Sequence, residues 1–292
     1  IRCRKVLEEF VLAGAPEEIL YSFKPHIGTD ILKAVVKKIR QRIIDLGGEV
    51  RFNSKVTNIT IENNRITGVE INNKEKLKAE AVVLAIGHSA RDTYEMLYNN
   101  GVIIRQKPFS IGVRIEHPQT LINESQYKQY AEHPRLGAAD YRLTYQTKEG
   151  RAVYTFCMCP GGMVVASSSE HNMVVTNGMS EYARNKENAN SALLVQINLE
   201  DFKSNHPLAG VEFQRKWERA AFELGGGDYS APAQLVKDFL IDEESTEIGR
   251  VKPSYAPKIK LTNLKNCLPE YVINSIKEAI VEMDKKLNGF AI

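Results

Sequence analysis

The chain has 292 residues, with 39 lysine and arginine side chains against 36 aspartate and glutamate, a net charge of +3. That surplus is too small to argue for nucleic acid or an anionic membrane as partner, and the length allows about two domains with a substantial core. The longest apolar run, around 81–86, is far too short to span a bilayer, and no charged-then-apolar leader opens the chain. Cys3, Cys157, Cys159 and Cys267 are too scattered for a disulfide framework, which points to a soluble protein of the reducing cytoplasm.

In chain order, the first clear element is a helix. Ile31, Leu32, Val35, Val36, Ile39 and Ile43 recur at helical spacing from Thr29 or Asp30, and Gly47-Gly48 supplies the stop. Lys33, Lys37, Lys38, Arg40 and Arg42 on the opposite face read as a solvated surface. Extended pieces follow at 49–52, 56–61, 65–71 and 77–86, separated by Glu62-Asn63-Asn64 and Asn72-Asn73, which are turn chemistry. The last piece carries Val82-Val83-Leu84-Ala85, a run that suits a strand covered on both faces. It ends at Ile86-Gly87, where the missing side chain lets the backbone approach a neighbour closely. Ser89 and Asp92 then have the spacing of an N-cap and capping box, for a helix that carries Met96 and Leu97 and closes at Gly101. A helix start at this point aims its free N–H groups at whatever lies over Gly87 and favours an anion there.

From about 102 to 266 the pattern changes. Gly, Pro, Ser and aromatic residues interrupt short extended runs at 110–116, 151–156 and 163–167, and two helical stretches are expected around 179–190 and 213–224. An inserted α+β domain with an antiparallel sheet is the natural reading. Cys157-Met158-Cys159 falls in this region. As half a zinc site it lacks a second pair of ligands at finger-like spacing, so no metal is expected. On a regular strand its two thiols would share one face, either as small apolar groups of a core or as a pocket wall contacting substrate, with Pro160-Gly161-Gly162 making a turn through which a flat ring could be approached. His88, at the turn after the apolar run, is either a proton donor beside a cofactor or a ring that hydrogen-bonds the helix start. His26, in a loop before a helix, has the same two readings. Near the end Pro269 opens a helix with Val272, Ile276, Ile280, Met283 and Leu287 on one face, ended by Asn288-Gly289.

The order helix, strand, three-stranded meander and return strand resembles the second half of the FAD-binding domain of two-dinucleotide-fold flavoproteins. Four strings resemble, together and in order, signatures of the FAD-dependent dehydrogenases, or NAD(P)/FAD-dependent oxidoreductases. They are Lys24-Pro25-His26-Ile27-Gly28-Thr29-Asp30, Gly87-His88-Ser89-Ala90-Arg91-Asp92-Thr93, Tyr154-Thr155-Phe156-Cys157-Met158-Cys159-Pro160-Gly161-Gly162 and Thr176-Asn177-Gly178-Met179-Ser180. The likeness runs over essentially the whole chain.

That resemblance implies an α/β plus α+β architecture: a partial FAD-binding domain with its meander at 1–101, an inserted, mainly antiparallel substrate domain at 102–266, and a returning helix at 267–292. It implies FAD as cofactor, NAD(P)H as a candidate electron donor and a small-molecule substrate. Lys55, Val56, Ala85, Ile86, Gly87, Ser89 and Arg91 are the cofactor-side residues it points to, with backbone near Val56 against the adenine edge. Cys157, Cys159 and His88 are the catalytic candidates. The Gly-x-Gly-x-x-Gly fingerprint that should cradle the pyrophosphate is absent from these residues, the chain starts at Ile1, and it stops just past a helix with no closing strand. An internal piece of a larger flavoprotein is therefore expected, one that alone is essentially colourless. A binding module without chemistry and an RNA-modifying flavoprotein are the alternative functions.

Overall fold

A computed structural model describes residues 2–291. In chain order its elements are α1 (Arg2–Leu12), α2 (Thr29–Asp45), β1 (Val56–Glu62), β2 (Arg65–Ile71), β3 (Glu75–Lys78) and α3 (Arg91–Asn99). There follow β4 (Phe109–Pro118), α4 (Gln119–Tyr127), β5 (Thr144–Gln146), β6 (Ala152–Ala166), β7 (Thr176–Met179) and β8 (Asn188–Ile197). The last are α5 (Ala209–Gly225), β9 (Ala231–Ala233), α6 (Val236–Leu240), β10 (Ile259–Leu261) and α7 (Glu270–Asp284). The fold is mixed α/β with antiparallel sheets. Backbone contacts divide it into two compact units, one of residues 42–107 with 198–214, the other of 1–41, 108–197 and 215–292.

The smaller unit is built on the β1-β2-β3 meander. Its first hairpin turns on Asn63 and Asn64 at φ 49° and 60°, and the next loop on Asn72 and Asn73 at φ 54° and 55°. Asparagine tolerates the left-handed region that a two-residue hairpin with right-twisted strands requires, so these turns were legible as chemistry. Ile59, Val69 and Ile71 bury one face of the meander against Leu97 of α3, with Met96, Val102 and Ile104 at the edge of the cluster.

Two expected strands are not there. Residues 49–52 are irregular and pair with no strand among the described residues, and the chain just after them is tied to the meander by Asn72, whose Oδ1 accepts from Lys55 N at 3.0 Å and whose Nδ2 donates to Asn53 O at 2.8 Å. The third strand ends at Lys78 with one further bond, Ala79 N to Thr67 O. Residues 81–86 run on unpaired and exposed, Val83 at 89% and Leu84 at 54%. A strand needs a sheet edge to pair with, and among the described residues no strand pairs with these.

The larger unit holds an antiparallel sheet in the order β4-β8-β6-β5, with β7 paired to the far end of β6. The expected runs at 151–156 and 163–167 are one strand, β6, kept continuous across Cys157–Gly162 by bulges against β8. The helix expected around 179–190 is instead a loop and the start of β8. Tertiary bonds outweigh local propensity there: Ser180 Oγ donates to Pro160 O at 2.7 Å, Lys186 N to Gly161 O, and Tyr182 N to Asp30 Oδ1 at 2.9 Å. Helix α5 covers the expected 213–224.

Helix α7 lies against β4, β5, β6 and β8. Val272, Ile276, Ile280, Met283 and Leu287, the face read from spacing, are all buried. Burial of each such aliphatic side chain is worth about 1.5–3 kcal/mol. Pro269 occupies the N-cap position without a side-chain cap, and Asp284 Oδ1 accepts from Gly289 N and Ala291 N to close the helix end. Helix α2 starts at Thr29 as expected, and Val35, Ile31 and Ile39 pack with Ala13, Ala15 and Ile19. Parallel pairing among the described residues is confined to β9 with β10 and a bridge between Val165 and Ala256.

Candidate functional site

Two groups of sequence-selected residues are brought together, one in each unit. In the smaller unit Lys55, at the entrance to β1, reaches the first turn of α3, its Nζ 2.5 Å from Asp92 Oδ2. The hydrogen bond from Lys55 holds the exposed Asp92 carboxyl below its ordinary pKa. Val56, which opens β1, is 40% exposed, and Ala85 and Ile86 are exposed on the unpaired run. Gly87 adopts φ +70° with its carbonyl accepting from Tyr94 Oη at 2.9 Å, which fixes the turn onto α3. A Cβ built on Gly87 would meet nothing within 4 Å. The glycine therefore serves the backbone conformation and leaves the space above the turn open.

The expected capping box does not form. The N-cap of α3 is Ala90, without a side-chain cap, because the Ser89 hydroxyl sits 3.0 Å from His88 Nδ1 and the Asp92 carboxylate is held by Lys55 and Thr93 N. The helix end does follow expectation: Gly101 at φ +78° donates to Tyr98 O and Val102 N to Leu97 O. Arg91 is buried at 4% exposure, its Nη2 donating to Gln214 Oε1 at 3.1 Å. A buried guanidinium so engaged holds the start of α3 in place.

In the larger unit Cys157 and Cys159 lie on the bulged centre of β6. The bulge breaks the two-residue alternation that would have put both thiols on one face. Cys157, at φ +46°, is exposed, whereas Cys159 is 7% exposed with Sγ donating to Cys157 O at 3.3 Å. Burial raises the Cys159 pKa, the neighbouring Cys157 raises it further, and Arg114 partly offsets both. Pro160-Gly161-Gly162 is not an open turn for a ring. Gly161 and Gly162 are buried, and a Cβ on them would collide with Arg184 O and Met179 O respectively. His26, whose Nε2 lies 3.1 Å from Glu181 O, belongs to the larger unit, and His88 to the smaller.

One functional candidate escaped the sequence reading. Arg114 on β4 lays its guanidinium over Gly178 of β7, where a Cβ would overlap Nη1. It donates to Asn190 Oδ1 and, at 3.4 Å each, to Cys157 O and Asn177 Oδ1. The string Thr176–Ser180 was visible as a signature. Its use as a bed for an arginine from another strand depends on pairing that no local pattern encodes. Among the described residues no group of three or more His, Cys, Asp or Glu side chains is arranged to hold a metal, and no helix is long and apolar enough to cross a membrane.

A family model described as FAD-dependent protein, C-terminal domain-like matches residues 108–292. The chain belongs to that family. A second model, flavin containing amine oxidoreductase, matches residues 21–99, the stretch that includes the meander and the Gly87 turn. The first description names FAD and the second a flavin, and FAD is the cofactor of the family to which the chain belongs. A Clostridium beijerinckii protein, named "Uncharacterized protein", is 56% identical over 291 residues, covering 99% of this chain and 54% of its own length. The chain thus spans about half the length of this relative. The open turn at Gly87 and the exposed Val56, Ala85 and Ile86 lie within the stretch that the flavin containing amine oxidoreductase model matches. The pyrophosphate cradle has no counterpart in the sequence.

Proposed function

We propose that the chain is part of an FAD-dependent dehydrogenase that takes electrons from NAD(P)H or a small organic substrate in the cytoplasm. The observation that carries this reading is the Gly87 turn: an exposed apolar run ends in a left-handed glycine with open space above it, inside the stretch similar to flavin-containing amine oxidoreductases. The adenosine half of FAD would lie along Val56, Ala85 and Ile86, with the backbone at Gly87 and Ser89 beside it. Lys55 and Arg91 then act at one remove, Lys55 through Asp92 and Arg91 by anchoring α3.

When bound, the flavin supplies the two-electron centre that accepts or returns a hydride. The chain's own residues do the rest. With His88 Nδ1 engaged by Ser89, Nε2 is the atom through which this exposed ring exchanges a proton. The exposed Cys157 thiol contacts substrate, while buried Cys159 shapes the strand beneath it. Charge does not favour an RNA partner, and the flavin-family matches favour an oxidoreductase over a module without chemistry. The test is anaerobic addition of NADH or NADPH to the full-length protein containing this chain. Loss of the visible flavin absorbance is expected. A flavin that neither nucleotide reduces would remove NAD(P)H from the reading.

A further inference from the structure

Arg114 is a cation without an anion. Among the described residues it forms no ion pair, and the groups beside it are neutral: Asn190 Oδ1, Cys157 O and Asn177 Oδ1, the last two at 3.4 Å, and the Cys159 thiol, which burial keeps protonated. Two donors beside it have no acceptor at all. Arg114 Nε is buried and unpaired, and so is Nδ2 of Asn190, a residue with 0% exposure whose amide oxygen is held by the guanidinium. A buried N–H group without a partner costs about 1–3 kcal/mol, so a cluster of such donors around a positive charge lacks one component, an anionic acceptor. The cluster is also accessible. Asn177 and Cys157 are exposed, while Asn190 is fully buried. Gly178 keeps the guanidinium in place, since any side chain there would displace it.

We propose that Arg114, Asn190 and Asn177, with Cys157 at the mouth, form a binding site for the carboxylate of a small organic acid. A planar guanidinium offers a carboxylate two parallel hydrogen bonds, and side-chain amides beside it can complete them. One positive charge matches a monoanion and leaves a phosphate dianion undercompensated. The proposal rests on the flavoprotein reading only in making that acid the substrate. The site itself exists without flavin.

Cys157 provides the readout, using iodoacetate, which carries a carboxylate, against neutral iodoacetamide. In both reactions the Cys157 Sγ–carbon bond forms, the carbon–iodine bond breaks, iodide leaves and the thiol proton goes to buffer. Labelling is followed by peptide mass, with exposed Cys3 as the reference. Iodoacetate labelling of Cys157 is expected to saturate with concentration, and benzoate to protect it. In Arg114→Gln the iodoacetate-to-iodoacetamide ratio at Cys157 should fall about tenfold, the effect of losing one charged hydrogen-bonded contact, with Cys3 unchanged. Should that variant not fold, Asn177→Ala, altered at an exposed side chain, should lower the ratio in the same direction. Linear, unprotected labelling of the wild type would overturn the site, as would an unchanged ratio in the variants. Protection by inorganic phosphate equal to that by benzoate would overturn the carboxylate assignment. Since no arm uses flavin, failure here leaves the flavoprotein reading standing, and failure of nucleotide reduction leaves this site standing.

Discussion

His117 on β4 is 1% exposed, with Nε2 2.9 Å from Phe290 O. A carbonyl only accepts, so Nε2 carries the proton and the neutral ring leaves Nδ1 as a buried acceptor without a partner. Burial pushes the ring's pKa below its ordinary 6.5, against smaller opposing effects of the Phe290 bond and the Asp284 charge. The unfolded chain therefore takes up the proton more readily than the folded one. Stability from this group is complete above the unfolded value and is lost as pH falls from about 6.5 towards the depressed folded value. We expect the urea midpoint to hold steady above that pH and to decline below it. In His117→Gln this part of the decline should disappear, and parallel profiles for the two proteins would contradict the assignment. None of this was visible in the sequence, because what isolates His117 is Phe290, 173 positions away.

At the scale of elements, legibility followed locality. Helix α2, the Asn-based turns of the meander and the buried face of α7 were readable because a periodicity or a turn residue states them within a few positions. Residues 81–86 have strand composition, yet pairing depends on an edge they do not find among the described residues. The loop after β7 is not the helix its sequence suggests, because its hydrogen bonds, from Ser180 Oγ and Lys186 N to β6 and from Tyr182 N to Asp30 of α2, reach partners elsewhere in the chain. The bulge that separates Cys157 from Cys159 escaped the alternation rule for the same reason. Helix α7 gives the sharpest stability test. Ile276 is 0% exposed whereas Val281 on the same helix is 48% exposed. Ile276→Ala should cost about 2–5 kcal/mol by lost transfer energy and the cavity left behind. Val281→Ala should cost less than about 1 kcal/mol. Chemical denaturation of both variants measures this, and equal losses would mean that α7 does not pack on the sheet as described.

For the whole molecule, the balance between what the chain holds and what it lacks sets the expectation. It carries the turn and the exposed apolar run against which we propose that the adenosine half of FAD lies, but no glycine fingerprint to cradle the pyrophosphate. Expressed alone, the 292-residue chain should purify essentially colourless, and stoichiometric flavin in it would show that the cradle lies within these residues after all. In the full-length protein the same turn should govern retention. Gly87→Val puts a β-branched side chain at φ +70°, a strain of about 1–2 kcal/mol for an L-residue. A Cβ at this position meets no protein atom within 4 Å, so the fold should survive while the open space proposed for the cofactor is reduced.

The direct measurement is the FAD released by denaturation per chain of full-length protein, wild type beside Gly87→Val, with circular dichroism confirming that both are folded. We predict stoichiometric FAD in the wild type and little or none in the variant. Equal FAD in the two would contradict the placement of the cofactor at the Gly87 turn, and a wild type without FAD would contradict the flavoprotein reading itself.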